Sequence, residues 1–255
     1  MIKTLWRAMV ISFAMYSKIP MPKVDWTEEN MKYSMCFFPA VGMVIGALVA
    51  LWGWFGQISG MSQPFHTAVI LLIPVVISGG IHLDGLLDTA DAMSSWQTKE
   101  RRLEILKDSN SGAFAVITCV CYFLLAYGVW TEVSGKELYV LALGFVLSRS
   151  FSGFSVVTFQ CARNTGLAVA FAKPAQKKTV RLVMVLHILV CGILMCVISP
   201  VLGGAALIAA AAVFGYYRYM SYTYFGGITG DLAGFFLQVC ELAMALAVVI
   251  AGRLL

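Results

Sequence analysis

Long apolar runs alternate with short polar connections along the whole chain. Seven runs, near residues 37–55, 65–81, 113–130, 138–160, 181–200, 202–219 and 233–251, are long enough to cross a bilayer, since a spanning helix needs about 20 mostly apolar residues. The turn Ser199-Pro200-Val201 makes two of them a helical hairpin. Ahead of the first run, Ile2, Leu5, Trp6, Met9, Val10 and Phe13 recur at helical spacing. That stretch is short for a span and has no small-residue cleavage site, so it is expected to stay and to form an interfacial or half-inserted helix. The pattern predicts an all-α fold: a polytopic integral membrane helical bundle of about seven spans plus this N-terminal helix, making one membrane-embedded domain over residues 1–255.

Composition supports the same class. Hydrophobic residues make up 60% of the chain and charged residues 12%, whereas soluble domains sit nearer half and a quarter. No polar segment is long enough to fold as a separate soluble domain. The seven cysteines include no CxxC pair and most lie in apolar runs, so reduced, buried thiols are expected.

Charge then orients the bundle. Lys3, Arg7, Lys18, Lys23 and Lys32 precede the first run; Lys99, Arg101, Arg102 and Lys107 fall in the 82–112 connection; Arg163, Lys173, Lys177, Lys178 and Arg181 fall in 161–181. The intervening connections are nearly bare of Lys and Arg. The positive-inside rule places the N-terminus and the 82–112, 161–181 and 220–232 loops in the cytoplasm and the C-terminus, with Arg253, outside the cell's inner (cytoplasmic) membrane. The partner expected for this surface is the lipid bilayer, not a nucleic acid.

Chemistry concentrates in GGIHLDGLLDTADAMSSW, residues 79–96. Asp84, Asp88 and Asp91 stand at i, i+4 and i+7, one stripe of a helix whose other side carries Leu83, Leu86, Leu87 and Ala90. Like charges at that spacing oppose each other. A divalent cation relieves the repulsion, and carboxylates together with phosphate oxygens are the usual surroundings of Mg²⁺, which supports phosphoryl transfer. A solvated acidic face is the plainer alternative. Gly79, Gly80 and Gly85 would let a ligand approach the backbone. His82 has no second His or Cys at zinc-ligand spacing and reads as a substrate contact or an ordinary core histidine.

Downstream, Thr98 suits the N-cap of a short helix from Lys99 to Lys107. Its Arg101, Arg102 and Lys107 would hold an anion beside the carboxylates, or simply form a solvated face. DSNSG (108–112), beginning with Asp108, would bind phosphate or cap the next span. FGGITGDLAG (225–234) opens the last run. In it, Gly227 and Thr229 shape a turn that presents Asp231 as an N-cap, a metal ligand or a base. GGITGD (226–231) also repeats the spacing of GGIHLD (79–84). Deeper in the runs, Glu241 and Arg149 are the charges available to pair.

These motifs resemble the cobalamin synthase family, the adenosylcobinamide-GDP ribazoletransferases. The resemblance rests on KIPMP (18–22) with FFPAVGMVIGALVAL (37–51), on GGIHLDGLLDTADA (79–92) with RRLEILKDSNSGAFAV (101–116), on SRSF (148–151) with ARNTGLAVAF (162–171), and on GGITGDLAGFFLQVCELA (226–243). It implies an Mg²⁺-dependent transfer in which a hydroxyl of α-ribazole, or of its 5′-phosphate, attacks the phosphate on cobinamide in adenosylcobinamide-GDP and GMP leaves. Carried onto this chain, Asp84, Asp88 and Asp91 would hold metal and diphosphate. Arg102, Lys107 and Asp108 would flank them, and Arg149, Arg163 and Asp231 would complete the pocket. Gly80, His82, Arg101, Gly227 and Thr229 join the candidate substrate contacts. A homo-oligomer, or a complex with other cobalamin-assembly enzymes, is compatible with this. Two other readings come from charge pattern alone. A CDP-alcohol phosphotransferase of phospholipid synthesis would want Ala-Arg after Asp-Gly, where Leu86 and Leu87 stand. A cation transporter would want more counter-charges at mid-membrane.

Overall fold

The computed structural model describes residues 2–108 and 110–254, and every regular element among them is a helix. In chain order they are α1 (Ile2–Tyr16), α2 (Glu28–Met31), a 3-10 turn (Ser34–Phe37), α3 (Phe38–Ser59), α4 (Gln63–Ser78), α5 (Ile81–Ser94), α6 (Lys99–Ile105), α7 (Ala113–Thr131), α8 (Gly135–Thr158), α9 (Leu167–Ala172), α10 (Lys177–Ile198), α11 (Pro200–Phe225) and α12 (Gly230–Gly252). Six helical stretches are long and apolar enough to cross a membrane, and the α4–α5 pair makes a seventh if taken as one broken span. The protein is thus a polytopic helical membrane protein.

The seventh run departs from a simple span for a physical reason. The 16 residues of α4 reach about 24 Å at 1.5 Å per residue, short of the roughly 30 Å hydrocarbon core. Gly79 and Gly80 then take left-handed backbone, with φ of 66° and 79°, and α5 leaves at 94° to α4. Helix α5 then runs past the first turns of α12 and α7, across one end of the bundle.

Helix α8 is the axis of the fold and packs against α3, α10, α11 and α12. Its approach to α3 depends on Gly42 and Gly46. A Cβ at these positions would fall 2.3 Å from the Phe145 carbonyl oxygen and 2.2 Å from that of Ala142, a small-xxx-small crossing. Buried serines on α8 satisfy themselves locally: Ser150 donates to the Val146 carbonyl at 2.7 Å and Ser155 to that of Ser152 at 2.7 Å. The expected Arg149–Glu241 pair forms at 2.6 Å, and Ser148 donates to the same carboxylate at 2.8 Å. This ties α8 to α12 with charges that would be costly to separate. Facing outward, Val116, Ile117, Val120 and Leu124 on α7 and Leu189, Val190, Ile193 and Val197 on α10 form an exposed apolar surface suited to lipid.

Contacts at the helix ends sort the bundle into two faces. At one, the Lys18 amide donates to the Ile77 carbonyl at 2.7 Å, that of Gln176 to Lys32 at 2.9 Å, and that of Ile228 to Gln160 at 2.8 Å. At the other, Gln63 donates to the Thr131 carbonyl at 3.3 Å and Arg253 pairs with Glu132. The end of α1 and the end of α12 therefore lie at opposite ends of the bundle.

The expected apolar stripe of α1 splits. Val10 is buried together with Ala8 and Ile11, and Tyr16 reaches the core, while Ile2, Leu5 and Trp6 point outward. The second half of α1 is thus part of the bundle, and only its first half presents an apolar surface outward. All seven cysteines are free, with Cys121 exposed and Cys191 and Cys240 buried.

Candidate active site

The carboxylates come together because two helices touch through glycine. Where α5 crosses α12, a Cβ on Gly85 would stand 2.5 Å from the Asp231 carbonyl oxygen, and one on Gly234 would stand 3.0 Å from the His82 carbonyl oxygen. Gly85 therefore serves helix packing, not ligand access as its spacing suggested. Gly79 is closed over by the Lys18 side chain, whereas Gly80 faces open space. The crossing sets Asp84 and Asp88 of α5 beside Asp231 in the first turn of α12. Burial, followed by the charges of Asp84, Asp231 and Asp91, pushes the Asp88 carboxyl up to about 7.

The three aspartates of α5 have separate surroundings. Asp84 is exposed and stands at the mouth of a cavity of about 220 Å³, with Asp231 on the opposite helix. Asp88 is half-buried. Asp91 is already engaged: its carboxylate accepts from the Gly112 and Ala115 amides, the latter at 2.8 Å. It thereby caps α7 and complements that helix's positive end. The cap expected from DSNSG is thus supplied from α5, and Ser109 lies outside the described residues.

Asp231 is held on two sides. Arg163 donates to its Oδ2 at 3.3 Å and the Thr229 hydroxyl to the same oxygen at 3.2 Å. Thr229 also caps α12 by accepting from the Leu232 amide at 3.2 Å. Gly227, with φ of 153°, fits tightly against residues 160–162, where a Cβ would meet the Gln160 carbonyl oxygen at 2.5 Å. Its role is to let Ile228 bridge to Cys161, which brings Arg163 to the site.

Other predicted contacts fall away from this cluster. Arg149 is 1% exposed and does not line the cavity; its charge is spent on Glu241. Arg102 is buried, with its guanidinium 4.9 Å from the centre of the Tyr224 ring, so it anchors α6 to α11. Arg101 pairs with Glu104 at 2.7 Å on the exposed side of α6. Lys107 and Asp108 are exposed, and Asp108 accepts from the Asn110 amide at 3.0 Å. Sequence reasoning missed the cavity walls, among them Tyr16, Phe38, Ser152 and Leu237. Each sits in an apolar stretch with no local sign of a site.

Among the described residues, no group of three or more His, Cys, Asp or Glu side chains stands ready to hold a metal ion. Mg²⁺ does not demand one, because it is usually held by one or two carboxylates plus substrate phosphates. Asp84 and Asp88, one turn apart on α5, offer hard oxygen donors of that kind. The donor set fits Mg²⁺.

Fold and site together define a class: a multi-pass helical membrane enzyme with a cavity at one end of its bundle that Asp84 and Asp231 border. Residues 8–249 match the family model described as Cobalamin-5-phosphate synthase. The chain belongs to that family. It is 45% identical over 250 residues to an adenosylcobinamide-GDP ribazoletransferase of Lachnoclostridium phytofermentans, covering 98% of this chain and 94% of the relative. A ribazoletransferase of Clostridium botulinum is 32% identical over 94% of this chain and 96% of its own. One of Pseudomonas putida is 34% identical over 84% and 85%. No solved structure matches the chain.

Proposed function

We propose that the protein completes cobalamin at the cytoplasmic face of the inner membrane by transferring the phosphocobinamide of adenosylcobinamide-GDP to α-ribazole or its 5′-phosphate, with GMP as leaving group. The observation that carries this is the crossing of α5 over α12, which gathers Asp84, Asp88 and Asp231 beside a cavity sized for part of a small substrate. The family match supports the substrates, because the relatives' names pair adenosylcobinamide-GDP with a ribazole acceptor. Neither alternative reading from charge pattern has support of that kind.

In this reading Asp84 and Asp88 hold Mg²⁺ together with the diphosphate. The chemistry such an ion would supply is neutralisation of charge on the phosphate under attack and on the leaving group. Asp231 takes the proton of the attacking hydroxyl. Its orientation is set by Thr229 and Arg163, which both donate to its Oδ2. The bond formed joins the ribazole oxygen to the cobinamide-linked phosphorus; the bond broken is the phosphoanhydride, whose electrons leave with GMP. Purified protein in detergent, given adenosylcobinamide-GDP and α-ribazole 5′-phosphate, should release GMP with Mg²⁺ and none in excess chelator. GMP release in chelator would defeat the metal assignment, and no release under either condition would defeat the reaction.

A further inference from the structure

The cavity behind Asp84 and Asp231 is mostly apolar. Met15 and Tyr16 come from α1, Met35 and Phe38 from the segment before α3, and Leu237 from α12. One polar group breaks the pattern. His82 is 4% exposed, and its ring stands beside the Tyr16–Phe38 pair, 6.3 Å from the first ring and 5.9 Å from the second. Its Nε2 lacks a hydrogen-bond partner, alone among the buried side-chain nitrogens and oxygens of the described cavity-lining residues. Natural interiors seldom leave such an atom unpaired unless something else satisfies it.

The reaction proposed above brings three bulky groups to this face: a corrin macrocycle, a guanosine diphosphate and a ribazole nucleoside. At about 220 Å³ the space is smaller than the roughly 300–1,000 Å³ of drug-sized sites, so the macrocycle stays outside. Guanine carries donors and acceptors along two edges, and inside this cavity they would face methionines and a leucine and go unpaired. A dimethylbenzimidazole is flat, bicyclic and apolar, and it has a single free ring nitrogen.

We propose that this cavity takes the aromatic base of the nucleoside acceptor, with His82 Nε2–H donating to the base's free ring nitrogen. The proposal rests on the ribazole reading of the function. A neutral and a charged imidazole can both carry an N–H at Nε2, so the donor does not depend on the ring's protonation state. The sugar then projects past Asp84 and Asp231, which puts its hydroxyl where the carboxylates act. The base pocket would thus choose the acceptor and aim it.

The test is a fluorescence titration of the detergent-solubilised protein with α-ribazole, set beside GMP release by the same preparations. His82→Leu should weaken α-ribazole binding roughly tenfold, as loss of one buried hydrogen bond does, and His82→Gln should recover most of it. Ala168→Leu, which fills the cavity from the α9 side, should weaken binding at least as much while KM for adenosylcobinamide-GDP stays where it is. Thermal melts confirm that each variant is folded. Unchanged α-ribazole affinity in both His82→Leu and Ala168→Leu would overturn the pocket assignment even if wild-type protein releases GMP. Failure of wild-type protein to release GMP would overturn the reaction, and the titration would still decide whether the cavity binds the base.

Discussion

GGIHLD and GGITGD share a spacing but fold differently and lead to different ends: α5 starts directly after Gly80, whereas Gly227 and Ile228 run extended against Cys161 before α12 begins. Each begins with two glycines at positive φ that end the helix before them, and each places an aspartate in the first turn of the helix that follows. After the first, the sequence alternates Asp with Leu, so α5 can lie across the end of the bundle with its charges outward. After the second, residues 232–252 are almost wholly apolar, and α12 runs back through the membrane. The aspartates differ accordingly. Asp84 is exposed at the cavity mouth, whereas Asp231 is clamped by Arg163 and Thr229. An open carboxylate suits a metal and its phosphate; a clamped one suits a proton acceptor that must not wander. In the proposed reaction these two segments would supply the metal ligand and the base, one from each side of the α5–α12 crossing.

The comparison can be broken in four ways. Asp88→Asn should lower GMP release by roughly a thousandfold or more without loss of membrane insertion; a near-normal rate would remove α5 from the chemistry. Arg163→Gln should cost about ten- to a hundredfold in kcat, the worth of one charged hydrogen bond, with α-ribazole affinity little changed in the same titration. Replacing the glycines should separate packing from backbone freedom. Gly85→Ala puts a methyl against the α12 backbone and should lower stability by about 1–3 kcal/mol. Gly80→Ala meets open space but keeps a positive φ and should cost only about 1 kcal/mol. Equal losses in thermal melts would sink that distinction.

The smallest effect is one of pH. Asp88 faces Asp84 and Asp91 on its own helix and Asp231 on α12, with Arg163 beyond it. Its pKa rises from 3.8 to about 7 on folding, so the fold favours the protonated carboxyl. Stability without divalent cation should be highest below pH 4 as far as this group is concerned, and it should fall as pH rises toward 7. Asp88→Asn should flatten that slope and raise Tm by a few degrees. A steeper slope in the variant would show that the strain lies elsewhere.

Much of this was legible in the residues. Apolar runs placed six spanning helices and the broken α4–α5 pair because a bilayer tolerates little else, and the Asp stripe pointed to α5, where Asp84 and Asp88 meet Asp231. The Arg149–Glu241 pair followed from there being no other buried partner. What the sequence hid depends on distance along the chain. Asp91 looks like its two neighbours in the stripe, but the start of α7, more than 20 residues on, claims it as a cap. Gly85 looks like room for a ligand until α12 occupies that room. Arg102 reads as an anion ligand, but Tyr224 lies over it. The cavity walls are ordinary core residues by type, and only the meeting of α1, α5, α8 and α12 makes them a pocket.

The central claim is that Asp84 and Asp88 hold a divalent cation jointly with the substrate's diphosphate. Mn²⁺ as a paramagnetic substitute tests it most directly. Electron paramagnetic resonance titration should show Mn²⁺ bound weakly by the protein alone, tightly once adenosylcobinamide-GDP is added, and not above the nucleotide's own affinity in the Asp84→Asn, Asp88→Asn double variant. Equal binding by the wild-type protein and the double variant, with adenosylcobinamide-GDP present, would contradict the account.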